Sequence, residues 1–202
     1  MSKIICVYSG TFSPPHKGHI NAAMEFVQAV KPEKLLIIPS YIPPHKEVVY
    51  PVSCEDRLAM CHIAFGEIEN VQICEMEINR KGKSYTVETL RALHEAYKGY
   101  KIAFLVGTDM MLTLDDWYLP GEIFALCDIY CIRREMDDHL DADIQRKNEL
   151  YFEKYGKRVH MLSTPTLEVS SSEIRACIAE GKRSRFLTQG VQAYIEERGL
   201  YR

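Results

Sequence analysis

Hydrophobic residues along this chain follow two alternating patterns. Lys3 to Tyr8 (Lys-Ile-Ile-Cys-Val-Tyr) is a short apolar, β-branched run with no polar face, and it predicts a strand buried on both sides. Lys34 to Pro39, Ile102 to Val106, Asp128 to Ile132 and Val159 to Leu162 predict further short strands, and Val71 to Ile78 an extended segment closed by the polar turn Asn79 to Lys83. Between them the apolar spacing becomes helical. Ile20, Ala23, Met24, Val27 and Val30 mark a first helix, and Leu58, Cys61, Ala64 and Phe65 a second, capped by Ser53 with Asp56 in capping-box position. Val87, Leu90, Leu93 and Tyr97 form the inner face of a helix opened by Ser84-Tyr85-Thr86. Short helical segments are expected over Leu112 to Tyr118 and Pro120 to Cys127, and a charged surface helix over Leu140 to Tyr155. Ile174, Cys177 and Ile178 line a helix that Ser170 opens and Gly181 ends, and Gly190 precedes a last helix with Val191, Tyr194 and Ile195.

Strands that alternate with helices predict an α/β fold, a Rossmann-like, doubly wound and mostly parallel sheet. In such sheets ligands bind beyond the carboxyl ends of the strands, near the point where strand order reverses. The polar clusters of this chain follow predicted strands or open predicted helices, so one shared site is expected.

Composition narrows the class. The chain has 202 residues, enough for a sizeable core, and is expected to form a single domain over 1–202. A net charge of −3 and scattered basic residues give no field or aromatic-basic stripe for nucleic acid. No apolar run approaches the ~20 residues of a membrane span, and the first residues lack a signal-peptide layout. Seven scattered cysteines include no C-x-x-C pair, so a zinc site is not expected. Cys6, Cys61, Cys127 and Cys177 read as core residues, Cys54 as the exposed thiol, and the compartment as a reducing cytoplasm.

The densest chemistry lies in Ser9-Gly10-Thr11-Phe12-Ser13-Pro14-Pro15-His16-Lys17-Gly18-His19, a strand-to-helix turn. A helix N-terminus offers unpaired N–H groups and the positive end of its dipole to an anion. Gly10 permits close approach of that anion to the backbone. His16 and His19, three apart, share a helix face. The arrangement suits holding a phosphate and stabilising charge on it during transfer; a loop histidine pair with no ligand is the bland alternative. Neither a P-loop nor a G-x-G-x-x-G fingerprint is present. Ser170 to Arg175 offers hydroxyls, N–H groups and a guanidinium at another helix start, or else plain capping by one serine. Pro43-Pro44-His45-Lys46 presents Lys46 on a stiff loop, as a phosphate contact or a solvated side chain. Asp109 could be only a cap, and Trp117 only core.

The H-x-G-H element behind Gly-Thr-Phe resembles the nucleotidylyltransferase superfamily. In order, P-P-H-K, S-Y-T, G-x-D-x-x-x-x-L-x-x-W (Gly107 to Trp117) and S-S-x-E-I-R resemble the bacterial nicotinate-nucleotide adenylyltransferases over essentially the whole chain. The resemblance implies transfer of the adenylyl group of ATP to nicotinate mononucleotide, with Mg²⁺ bridging the ATP phosphates. Nicotinamide mononucleotide or phosphopantetheine as acceptor, or a non-catalytic nucleotide sensor, are the alternatives. By the same resemblance, His16 and His19 contact the ATP phosphates. Gly10, Thr11 and Phe12 line the phosphate and mononucleotide site through their backbone, and Lys46 holds phosphate. Tyr85 and Thr86 flank the pyridine ring, and Trp117 stacks on it. Gly107 and Asp109 hold the adenosine end, while Ser171, Ser172 and Arg175 secure pyrophosphate. The family usually has Gly where this chain has Ser9, and Asp where it has Ser13.

Overall fold

The computed structural model describes residues 3–44, 52–133, 140–162, 167 and 169–202. The first half runs β1 (Ile4–Gly10), α1 (Lys17–Val30), β2 (Lys34–Pro39), α2 (Cys54–Phe65), β3 (Val71–Ile73), α3 (Met76–Arg80) and α4 (Thr86–Ala96). The second runs β4 (Lys101–Gly107), α5 (Thr108–Met111), a 3-10 turn (Leu114–Asp116), α6 (Pro120–Leu126), β5 (Asp128–Ile132), α7 (Leu140–Tyr155), β6 (His160–Leu162), α8 (Ser171–Ala179) and α9 (Gln189–Arg198).

The strands pair in the order β3-β2-β1-β4-β5-β6, every pair parallel. Strand order therefore turns between β1 and β4, and their carboxyl ends meet at the centre of one sheet edge. Alternate residues of the central strands feed two cores. Cys6, Tyr8, Leu35, Ile37, Ala103 and Leu105 face α1, α2, α8 and α9, while Ile5, Val7, Leu36, Ile38, Phe104 and Val106 face α4, α6 and α7. Both faces are covered, which is why these strands carry no polar alternation. No helix among the described residues is long and apolar enough to cross a membrane.

Four expectations need correction. The segment Val71 to Ile78 is not extended throughout: β3 stops at Ile73, where its ladder with Leu35–Ile37 ends, and Met76 to Arg80 turn into α3 with Glu77 buried. The helical segment over Leu112 to Tyr118 lies earlier and is tighter, as α5 followed by the 3-10 turn. Gly190 lies inside α9; Thr188 is the cap, its hydroxyl accepting from the Val191 N–H. Met24 is 54% exposed and Cys177 only half-buried, each on the rim of its helix's apolar stripe. Cys6, Cys61 and Cys127 are buried, and burial pushes the Cys61 and Cys127 thiols up to about 12.

Two helices distant in sequence are clamped by one carboxylate. Asp56 on α2 accepts from Ser53 Oγ (2.8 Å), Tyr194 Oη (2.9 Å) and Arg198 Nε (3.3 Å), the last two on α9. Burial pushes this carboxyl up, but its hydrogen bonds to Ser53 and Tyr194 and the Arg198 charge outweigh burial and hold it below the usual range.

Candidate active site

At the switch point between β1 and β4 lies a cavity of about 680 Å³. Gly10, Thr11, Phe12, His16 and His19 reach it from the end of β1, the first loop and α1, and Gly107, Asp109 and Trp117 from the end of β4 and the segment after it. Tyr85 and Thr86 line it from the start of α4, and Ser171, Ser172 and Arg175 from α8. Lys46 lies outside the described residues, while Pro43 and Pro44 before it line the mouth.

The two imidazoles do more than share a helix face. His16 is the N-cap of α1 and His19 its third residue. The His19 N–H donates to His16 Nδ1 (3.3 Å), and the His16 N–H donates to His19 Nδ1 (3.2 Å). The rings stack with centroids 3.6 Å apart. This is a capping box built from imidazoles in place of Ser and Glu. An Nδ1 that accepts from a backbone N–H carries no hydrogen, so in that tautomer each ring presents Nε2–H. The helix cap thus sets both rings as hydrogen-bond donors at the cavity wall.

Glycine at position 18 follows from the same packing. A Cβ there would come within 2.9 Å of Val169 Cγ1 and 3.1 Å of the His16 ring. The x of H-x-G-H is Lys17, which is exposed, its Nζ donating to the Arg185 carbonyl at 2.8 Å.

Beneath the loop, Phe12 is 2% exposed with φ +48°, and its ring stands edge-on to Tyr8, His19 and Phe65 at 5.4, 5.1 and 5.6 Å. Its side chain is therefore a core element of the site, where sequence assigned it only backbone contacts. Arg57, 5% exposed, donates to the Thr11 carbonyl (2.9 Å) and the Tyr41 carbonyl (3.4 Å), tying the first loop to the end of β2.

On α8 the serines divide their work. Ser170 caps the helix, accepting from the Glu173 N–H at 3.2 Å while Glu173 Oε2 accepts from the Ser170 N–H at 2.9 Å. Ser171 Oγ donates to the Pro14 carbonyl (3.1 Å). Arg175 donates through Nη1 to the Ser13 carbonyl (2.9 Å) and through Nη2 to Ser172 Oγ (3.0 Å). Arg175 is thus held against the first loop, not solvated, and both readings of the serines apply, one to Ser170 and the other to its neighbours.

The opposite wall is aromatic. Tyr85 and Tyr118 lie 4.9 Å apart, and Trp117 stands edge-on to Phe104 at 6.5 Å. Behind this wall Glu77, 2% exposed, accepts from Thr89 Oγ1 (2.7 Å) and Ser9 Oγ (3.4 Å), while Ser84 Oγ accepts from the Tyr41 N–H (2.9 Å). Burial pushes the Glu77 carboxyl up; hydrogen bonds from Thr89, Ser84 and Ser9 and the Arg80 charge pull the other way without cancelling it. Ser9 therefore contributes a link between β1 and α3 that glycine would lack.

Sequence reasoning did not place Tyr8, Ser40 or Tyr118 in the cavity, nor Arg57 and Glu77 behind it; Ser84 it had only as the first residue of the S-Y-T motif, with no role. Tyr118 follows Trp117 directly, so a second aromatic beside the tryptophan was the available signal. Arg57 and Glu77 left none, because a charged residue on a helix reads as solvated until its partners are known.

Known proteins fall in line with this geometry. The cytidylyltransferase-like family model matches residues 7–177. A probable nicotinate-nucleotide adenylyltransferase of Shouchella clausii is 36% identical over 200 residues, covering 98% of this chain and 97% of its own. One from Desulfitobacterium hafniense is 34% identical, covering 99% and 96%. The solved structure of the Plasmodium falciparum nicotinic acid mononucleotide adenylyltransferase complexed with NaAD superposes with a TM-score of 0.77 over 98% of this chain and 97% of that one, at 18% identity, and shares the fold. The match across the first loop, the sheet and α8, together with full-length relatives above 30% identity, means that this chain belongs to the cytidylyltransferase-like family and, within it, to the nicotinate-nucleotide adenylyltransferases.

Proposed function

We propose that this chain transfers the adenylyl group of ATP to nicotinate mononucleotide, giving nicotinate adenine dinucleotide and pyrophosphate for NAD biosynthesis. One nucleotidylyltransferase domain does so, in the cytoplasm, a setting that suits seven free cysteines. The observation that carries the reading is the two-sided cavity: imidazoles, serines and Arg175 on one wall, Tyr85, Thr86 and Trp117 on the other.

The 5′-phosphate of the mononucleotide is already an anion, so no general base is needed. Its oxygen forms a bond to the α-phosphorus of ATP, and the bond from that phosphorus to the α,β-bridging oxygen breaks with its electron pair on pyrophosphate. The chain's task is to align two anions and neutralise the charge that spreads over the phosphoryl oxygens. His16 and His19 donate Nε2–H to those oxygens. Arg175 with Ser171 and Ser172 receives the leaving pyrophosphate, and Lys46 holds phosphate. Gly10, Thr11 and Phe12 present backbone to the phosphates, and Gly107 and Asp109 receive the adenosine, Asp109 at the ribose hydroxyls. Tyr85 and Thr86 flank the pyridine and its carboxylate, and Trp117 stacks on the ring.

Mg²⁺ fits this donor set as an ion carried on the ATP phosphates. Among the described residues no three His, Cys, Asp or Glu side chains are grouped to cage a metal, and Mg²⁺ binds readily through phosphate oxygens and water. Carried in on the ATP phosphates that His16, His19 and Arg175 receive, it would supply charge neutralisation on those phosphates.

The test is pyrophosphate release with ATP and Mg²⁺ against a panel of nicotinate mononucleotide, nicotinamide mononucleotide and phosphopantetheine. Release is expected to be fastest with the first. A preference for either of the others would replace the acceptor, and ATP binding with no release would make the chain a nucleotide sensor. Within this reaction Gly18→Ala is expected to lower turnover roughly 10–100-fold, because the new methyl displaces the His16 ring from alignment. Steady-state kinetics beside a melting curve checks this, and unchanged turnover would remove the steric account of Gly18.

A further inference from the structure

Tyr201, one residue from the end of the sequence, is 4% exposed. The chain leaves α9 through Gly199 at φ +63°, and Tyr201 itself adopts φ +63°, an uncommon backbone for a tyrosine. This turn brings the side chain back into the molecule, where Tyr201 Oη lies 2.9 Å from Ser13 Oγ, 188 positions away. Burial pushes the Tyr201 phenol up to about 12, so both hydroxyls of this pair keep their hydrogens and either can donate.

Ser13 is where the first loop is fastened. Its carbonyl accepts from Arg175 Nη1 at 2.9 Å, the next carbonyl, Pro14, accepts from Ser171 Oγ at 3.1 Å, and Ser13 itself borders the cavity. Tyr201 does not border the cavity, and its side-chain hydrogen bond to Ser13 links it to a residue that does. Near its C-terminal end α9 is tied to α2, where Tyr194 and Arg198 donate to Asp56.

We propose that Tyr201 is a positioning residue for adenylyl transfer: through the Ser13 hydroxyl the C-terminal turn fixes the carbonyl that holds Arg175, and so sets the leaving-group side of the cavity. This rests on the reading that Arg175 receives pyrophosphate.

The experiment compares Tyr201→Phe, Ser13→Ala and the double variant in the full chain, with KM measured separately for ATP and for nicotinate mononucleotide. Tyr201→Phe removes one oxygen and is expected to lower kcat/KM for ATP about tenfold, leaving the KM for the mononucleotide unchanged. Ser13→Ala is expected to give the same loss, and the double variant no more than either alone, since both break one link. Wild-type ATP kinetics in Tyr201→Phe would overturn the proposal. So would losses that multiply in the double variant, or equal shifts in both KM values with a lowered melting temperature, which mark general loosening. If Tyr201→Phe does not fold, Ser13→Ala carries the same KM comparison. No pyrophosphate release by the wild-type chain would instead overturn the proposed function.

Discussion

His19→Ala is expected to lower the maximal rate of adenylyl transfer by about 10²–10³-fold while the chain stays folded, the range found when one preorganised donor to a developing oxyanion is removed. Three contacts vanish together. The Nε2–H donor at the cavity wall goes first. The His16 N–H loses its acceptor, His19 Nδ1, at 3.2 Å. The stacked partner that holds the His16 ring at 3.6 Å is lost as well. The surviving imidazole is therefore less well aimed, and the loss exceeds that of one hydrogen bond. Stability changes less, because His19 is only half-buried and its own N–H still has His16 Nδ1. Rates at saturating ATP and mononucleotide, read beside a melting curve, separate the two effects. A rate equal to wild type would remove His19 from the reaction.

Phe12→Ala combines loss of stability with loss of rate. The ring is almost fully buried and touches Tyr8, Phe65 and His19 edge-on. Truncating such a residue costs about 3–5 kcal/mol, as lost transfer energy plus the cavity left behind. At roughly 2–4 °C per kcal/mol for a chain of this size, the melting temperature is expected to fall by about 6–20 °C. Alanine gains nothing from the backbone, since φ +48° suits it no better than phenylalanine. The ring also supports His19, so turnover falls below wild type even at a temperature where the variant is folded. Denaturant unfolding and kinetics on one preparation test both halves. A melting temperature within 2–3 °C of wild type, about 1 kcal/mol, would mean that the surrounding rings close the gap.

Much of this architecture is legible in the sequence because burial on both faces leaves an unmistakable trace. Ile4 to Tyr8 and Ile102 to Val106 carry no polar residue, and they became the two central strands beside the cavity. Strand order is not legible, since nothing in β4 says that it pairs with β1; that depends on how far the crossovers reach. The break after Ile73 is not legible either, because Val71 to Ile78 keeps an apolar rhythm across it, and only the end of the β2 ladder stops the strand. Of the residues that motif spacing singles out, all of those described border one cavity. Residues that act from behind were not. Arg57 and Glu77 are charges with long-range partners, and Ser13 finds Tyr201 across almost the whole chain. Such pairings exist only once the sheet has brought the ends together.

The buried Glu77 makes folding in part an acid–base event. Its carboxyl sits above the ordinary range in the folded chain, so folding takes up protons at a pH between the ordinary glutamate value and the raised one. What Glu77 contributes to stability is therefore full below that window and declines as pH rises through it. Asp56 has the opposite sign: its carboxyl is held low, so its contribution is full above the ordinary aspartate value and lost as pH falls toward the lowered one. The joint behind the aromatic wall and the α2–α9 clamp thus respond to acid in opposite directions. Acidification therefore restores what Glu77 contributes at a higher pH than the one at which it removes what Asp56 contributes.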